Sequence, residues 1–208
     1  CISSAASDVY KRQPLEGDRA SALNLEGTRA LAWTTTPWTL PTNLALAVGP
    51  EIDYVVVPAG PKGATDGAAA NEAHYLIASA RLDAYAKELG YESGKDAAGA
   101  VTRTIKGSEL EGVRYQRLWD FFAGEEYGTE TAWQILVADY VTTSDGTGIV
   151  HQAPAYGEDD KIACDAAGIP TILSVDAAGR FLDVVTPVAG QQVFEANRPL
   201  IQELKLSL

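Results

Sequence analysis

Regular alternation of apolar and polar positions begins near Leu23 and divides the chain into short elements. Residues 29–36 alternate and stop at Pro37, which predicts a strand. Tyr54 to Val57 is a β-branched strand closed by Pro58, and residues 74–78 are its expected return partner across a Gly- and Ala-rich loop at 59–73. Leu82, Tyr85, Ala86 and Leu89 recur at helical spacing, so residues 79–89 are expected as a helix stopped by Gly90. Strands are expected over 133–142 and 148–152, joined by the turn at Ser144, Asp145 and Gly146. A helix over 158–167 opens on Glu158, Asp159 and Asp160 and gives way to Gly168 and Pro170. A strand over 171–175 and a last helix from about Pro199 follow, proline being tolerated in a first turn. Many short strands with few helices give a β-rich α+β domain. Residues 1–13 carry no period and are expected to be a non-native or disordered lead-in, leaving 14–208 as one domain.

Composition narrows the classes. Apolar residues make up 46% and charged residues 21%, the balance of a chain with a sizeable core. No apolar run approaches the ~18 residues that a membrane span needs, so no membrane role is expected. Cys1 and Cys164 are the only cysteines, which leaves no four-cysteine zinc site or disulfide framework and fits a reducing cytoplasm. Sixteen basic against 28 acidic residues give a net charge of −12. That balance opposes indiscriminate binding to phosphates, where Lys and Arg supply the affinity.

Two segments carry the candidate chemistry. The first runs from Trp33 to Asn43 (WTTTPWTLPTN). In an extended chain Thr34 and Thr36 share one face and Thr35 takes the other, and Pro37 and Pro41 then stiffen the exit. Taken alone, the run also reads as an edge strand of threonines that favour β geometry, with Trp38 in the core. The second runs from Gly146 to Asp160 (GTGIVHQAPAYGEDD), a strand ending in His151, a Pro/Gly loop and a helix start. There the plain alternatives are a hydrogen-bonded strand-end histidine and acidic residues that answer the helix dipole. A metal set of His151, Glu158, Asp160 and Cys164 matches no ligand spacing, and neither metal nor cofactor is expected.

Read together, the two segments resemble the threonine-rich and histidine/aspartate segments of the isoleucyl-tRNA synthetase editing domain. The resemblance extends to residues 136–142 (LVADYVT) and 190–197 (GQQVFEAN), and covers about 23–205. It implies the class I editing fold, a β-barrel-like core with peripheral helices. It also implies hydrolytic proofreading of Val-tRNA(Ile), before or after transfer of the amino acid. In this likeness Thr34, Thr35, Thr36 and Thr39 contact the terminal adenosine or position the attacking water. Trp38 and His151 are pocket walls, Asn43 makes a polar contact, and Asp160 binds the α-ammonium. Whether His151 is a wall or a general base stays open. The implied partners are the 3′ end of the mischarged tRNA(Ile) and the remainder of the synthetase, with the isolated domain a monomer.

The chemistry suits those residue types. An aminoacyl ester is already activated, so its hydrolysis needs a held water, a fixed carbonyl and an anchored ammonium more than a strong nucleophile. A carboxylate anchors the ammonium by a charge-assisted hydrogen bond, and hydroxyls supply donors and acceptors without charge. A second site is needed because one methylene is worth only about 1–3 kcal/mol in an apolar pocket, a figure for which these isoleucyl enzymes are themselves the familiar example. Neither the HIGH-type nor the KMSKS-type ligase signature occurs, so no ATP-dependent charging is expected. Two alternatives are a valyl-type editing domain that removes threonine, where lysine usually replaces His151, and a non-catalytic aminoacyl-adenosine or tRNA-binding module.

Overall fold

The computed structural model describes residues 9–65 and 67–206. Six strands close into a barrel in the order β1 (Val9–Glu16), β7 (Arg114–Tyr115), β8 (Gln134–Val137), β3 (Ala45–Val48), β9 (Ile149–Gln152) and β2 (Arg29–Thr34), with β2 returning to β1. Closure removes the exposed edges that an open sheet would leave. A wing of β5 (His74–Ala78), β4 (Asp53–Pro58) and β6 (Arg103–Lys106) extends from β2. β2 is the branch point. One edge pairs with β1, while the other carries β5 at Arg29 and Ala30 and β9 at Trp33.

The helices lie outside this sheet: α1 (Gly17–Ala22), α2 (Gly94–Gly99), α3 (Glu158–Ala166) and α4 (Val193–Leu206). The barrel interior is filled by Leu15, Leu46, Tyr115, Ile135 and Ile149, all buried, each worth about 1.5–3 kcal/mol for a side chain of that size. β3 is buried along its whole length, because β8 and β9 flank it inside the barrel. Its Ala-Leu-Ala-Val run has no alternation to announce a strand, and it went unpredicted for that reason.

The structure redraws several expected elements. Residues 1–8 lie outside the described residues, but Val9–Gln13 run within β1, in antiparallel register with β2. The strand buries a polar residue, Gln13, beside Leu15, so its inward face does not show as hydrophobic alternation. Residues 79–89 are not an α-helix: a 3-10 turn at Ser79–Arg81 is followed by turns that mix i→i+3 bonds with one i→i+4 bond, from the Leu89 N–H to the Tyr85 carbonyl. Leu82, Tyr85, Ala86 and Leu89 are nevertheless the buried positions, and Gly90 takes φ +90 where a side chain would strike the Gly63 carbonyl. The strands β8 and β9 do not pair with one another; both flank β3. Residues 171–175 form only a single bridge, Val175 to Phe181. The last helix starts at Val193, six residues before Pro199. Ala196, Leu200 and Leu204, spaced by four, bury one stripe of α4, which outweighs the ~3 kcal/mol that an interior proline costs.

Candidate functional site

The two motif segments meet where β2 and β9 lie side by side, with Trp33 opposite Val150. After Thr34 the chain leaves β2 and turns into a 3-10 segment, Pro37–Thr42, because prolines at 37 and 41 cannot extend a ladder. Thr34 Oγ1 accepts the Thr36 backbone N–H at 3.1 Å, and Thr39 Oγ1 donates to the Thr36 carbonyl at 2.8 Å. The bend therefore rests on its own hydroxyls.

On the opposite side, the Gly-Thr-Gly run anchors β9. Gly146 (φ +62) lies flat against the Trp33 ring and Gly148 (φ +78) against Ala78, at distances where any Cβ would collide. Thr147, fully buried between them, donates to the Leu31 carbonyl. β9 delivers His151 opposite Leu46 of β3, and the Pro/Gly loop then leads into α3. Asp160 closes that loop, since its Oδ2 accepts the Ala153 backbone N–H at 2.8 Å.

Between these walls lies a cavity of about 180 Å³. Thr34, Thr35, Thr36 and Thr39 line one side, and His151 and Asp160 the other. Six of the eight sequence-predicted residues are thus brought together. Trp38 and Asn43 are not on the lining. Trp38 stands behind Tyr156, edge to face with centroids 4.7 Å apart, and packs into the cluster beneath α4. Asn43 is buried behind His151, where its Nδ2 meets His151 Nδ1 at 2.8 Å. It supports the histidine from the rear.

Sequence reasoning missed Tyr156, Trp33, Val150 and Ala153 on the lining. Tyr156 had a signal, being the one aromatic in the loop between Pro154 and Gly157. Its hydroxyl accepts the Ser174 backbone N–H at 3.0 Å and bonds the Ser174 hydroxyl at 2.7 Å, so the ring is anchored at its far end. Ser174 is fully buried.

Asp160 is the ionisable lining group with a displaced affinity for protons. Burial pushes its carboxyl above the usual 3.8, the Ala153 N–H pulls it down, and the neighbouring Asp159 raises it again. The Cys164 thiol, fully buried on α3, is pushed up to about 12 by burial and by Asp160 and Asp165, which makes it a core residue and not a nucleophile.

The chain is similar to longer proteins over nearly all of its length. It is 60% identical to the isoleucine–tRNA ligase of Leifsonia xyli subsp. xyli, an alignment that covers 95% of the chain and 19% of that protein. Against the isoleucine–tRNA ligase of Corynebacterium diphtheriae it is 48% identical, covering 92% and 17% respectively. The chain therefore spans about a fifth of the length of these relatives. No family model matches it. Among solved structures, the editing domain of the P. knowlesi cytosolic leucyl-tRNA synthetase superposes with a TM-score of 0.64 at 14% identity, covering 97% of this chain and 94% of that one. The GlLeuRS-CP1 crystal structure gives 0.64 at 12%, covering 94% of each. At such identities the likeness concerns the fold.

Proposed function

The chain belongs to the isoleucine–tRNA ligase family, as a stretch with the fold of the class I synthetase editing domains, and from that premise we propose that it hydrolyses Val-tRNA(Ile). The observation that carries this reading is one cavity whose lining holds Thr34, Thr35, Thr36 and Thr39 together with the half-buried carboxylate of Asp160, which burial pushes above its usual proton affinity.

Asp160 Oδ1 receives the α-ammonium, a contact that stabilises the ionised carboxylate against its burial. Thr34, Thr35 and Thr36 hold the terminal ribose and the attacking water, whose oxygen bonds to the ester carbonyl carbon. The carbon–oxygen bond to the ribose breaks, and the ribose oxygen takes a proton from the water, relayed by the vicinal hydroxyl. Products are valine and uncharged tRNA. His151 and the anchored ring of Tyr156 bound the space for the amino-acid side chain. With one methylene worth about 1–3 kcal/mol, a wall that fits valine rejects isoleucine by sterics. The net charge of −12 supports a reading in which other parts of the synthetase hold most of the tRNA.

The test is deacylation by the purified chain of Val-tRNA(Ile), Thr-tRNA(Val) and Ile-tRNA(Ile). Preference for the first supports the reading. Preference for Thr-tRNA(Val) would make this a valyl-type editor, and no hydrolysis of any would leave a binding module.

A further inference from the structure

We propose that Tyr115 and Gln13 are positioning residues of this site: their donors to Asn43 Oδ1 orient the Asn43 amide so that His151 is held as the neutral Nε2–H tautomer. The proposal deepens the proofreading reading and rests on it for its consequence in catalysis.

The proton count along the chain of contacts allows one arrangement. Asn43 Oδ1 accepts from Tyr115 Oη–H at 2.9 Å and from Gln13 Nε2–H at 3.0 Å. Asn43 Nδ2 donates one hydrogen to the Ala45 carbonyl at 3.1 Å, and its second points at His151 Nδ1, 2.8 Å away. All four hydrogen-bonding positions of the amide are then used. Reversing the amide would set Oδ1 against the Ala45 carbonyl oxygen and Nδ2 against the Gln13 amide nitrogen. The Ala45 carbonyl, being backbone, cannot change its role.

His151 Nδ1 must therefore accept, and a proton there would confront the Asn43 N–H. The ring proton sits on Nε2 and is donated to Thr39 Oγ1 at 2.9 Å. Thr39 in turn spends its own hydrogen on the Thr36 carbonyl. The result is a one-way chain, Tyr115 to Asn43 to His151 to Thr39 to Thr36, ending at the threonine bend of the cavity. It leaves His151 Nε2 without a lone pair to take a proton from water, and leaves Thr39 Oγ1, whose hydrogen is held by the Thr36 carbonyl, with no hydrogen to offer a ligand.

The donors at the head of the chain are built in deeply. Tyr115 and Gln13 are each 1% exposed, on β7 and β1, which pair with each other through Leu15 and Tyr115. Burial first, and Cys164 after it, raise the Tyr115 hydroxyl well above its usual range, so it stays a donor. The Asn43 main chain is clamped as well. Trp133, in a left-handed conformation (φ +58) uncommon for a bulky residue, donates its indole Nε1–H to the Asn43 carbonyl at 3.0 Å. Gln13 lies in the segment that sequence patterning assigns to a lead-in.

Nitrogen-15 labelling of the two histidines reads the tautomer directly, because His74 is exposed and serves as the internal reference. In the native chain His151 Nδ1 should resonate as unprotonated and Nε2 as protonated. Tyr115→Phe should move the two resonances toward each other and lower kcat for Val-tRNA(Ile) by about 2- to 10-fold at unchanged KM, the scale of one buried hydrogen bond. Gln13→Leu should act in the same direction. Asn43→Asp, which can only accept, should place the proton on Nδ1 and serves if the first two do not fold. A protonated Nδ1 in the native chain, or native-like His151 resonances in folded Tyr115→Phe, would overturn the proposal. Shifted resonances without hydrolysis by the native chain would sink the proofreading reading and leave the positioning of His151 standing.

Discussion

Thr39 Oγ1 and His151 Nε2 stand 2.9 Å apart, although 112 residues separate them in the chain. Both are buried, Thr39 at 5% exposure and His151 at 7%, so the contact is made away from solvent. It joins the bend after β2 to the end of β9 and thereby fixes the distance between the two halves of the cavity. Neither motif has this meaning alone: a threonine run is an ordinary strand end, and a strand-end histidine is ordinary too.

Thr39→Val keeps the shape and removes the hydroxyl. The His151 Nε2–H and the Thr36 carbonyl each lose a partner. The expected loss is about 1–3 kcal/mol, the penalty for an unsatisfied buried polar group. Urea unfolding should show a lower midpoint at an unchanged slope. A native midpoint would show that the two segments are not coupled through this bond.

Gly148→Ala tests the anchoring of β9. At φ +78 an alanine is strained, and its Cβ would lie 2.4 Å from the Ala78 Cβ. Strain and overpacking together should cost at least ~2 kcal/mol. Gly128 is the control: it has φ +65 but open space around its Cβ position, so Gly128→Ala carries the backbone penalty alone. Calorimetry should rank the variants native, Gly128→Ala, Gly148→Ala in falling melting temperature. Equal melting temperatures for the two variants would mean that Ala78 gives way freely.

These contacts show what a sequence does and does not carry. Alternation and β-branching announce β2 and β4, and the acidic opening with Gly168 and Pro170 announces α3. Buried from end to end, β3 has no such signature, and β1 depends on a ladder with a strand later in the chain, from Val9 opposite Thr34 to Pro14 opposite Arg29. Helical spacing at Leu82, Tyr85, Ala86 and Leu89 correctly marks the buried positions, but tight turns present them just as well. In the site, side chains that reach the cavity from the two motifs are legible as motif members. Tyr115 and Gln13, which act through Asn43, come from strands elsewhere, and only closure of the barrel brings them behind His151.

Asp160 separates anchoring of substrate from stability. Asp160→Ala strips the Ala153 N–H of its acceptor and should cost about 1–2 kcal/mol, the value for a partly exposed charged hydrogen bond. The first-turn position alone predicts solvent exposure and a smaller loss. Asp160→Asn keeps an acceptor and removes the charge. Because the folded carboxyl is raised above its unfolded value, its ionised form costs stability above the folded pKa, and that cost shrinks as pH falls through the folded pKa and is gone below the unfolded one. Asn at 160 should therefore melt at or above the native temperature at neutral pH, with the advantage fading in acid. Its deacylation should be largely lost. The acid limb of native kcat/KM should lie above the ordinary carboxylate position of 3.8, since that ratio reports the free enzyme. A limb at or below 3.8, or full activity in Asp160→Asn, would remove Asp160 from the site.

His151→Ala distinguishes a wall from a base. The ring lies on the cavity lining, and its Nε2 proton is already committed to Thr39. Removing it opens space beside Tyr156 without touching Asp160 or the hydroxyls of Thr34 to Thr36. Against one methylene a wall is worth about 1–3 kcal/mol, so rejection of Ile-tRNA(Ile) should relax by a factor of roughly 10 to 200 while Val-tRNA(Ile) hydrolysis falls less. A general base has a different signature: its loss slows both esters alike, typically by ~100- to 10,000-fold. The comparison holds even if the variant is partly unfolded. Losing Asn43 Nδ2 and Thr39 Oγ1 their common partner lowers the active fraction, but that fraction multiplies both rates equally and cancels in their ratio. The quantity to measure is thus the ratio of kcat/KM for Ile-tRNA(Ile) over Val-tRNA(Ile), in native and variant chains. A rise in that ratio identifies a wall. An unchanged ratio with both rates collapsed would place His151 in the chemistry and contradict the tautomer that Asn43 imposes.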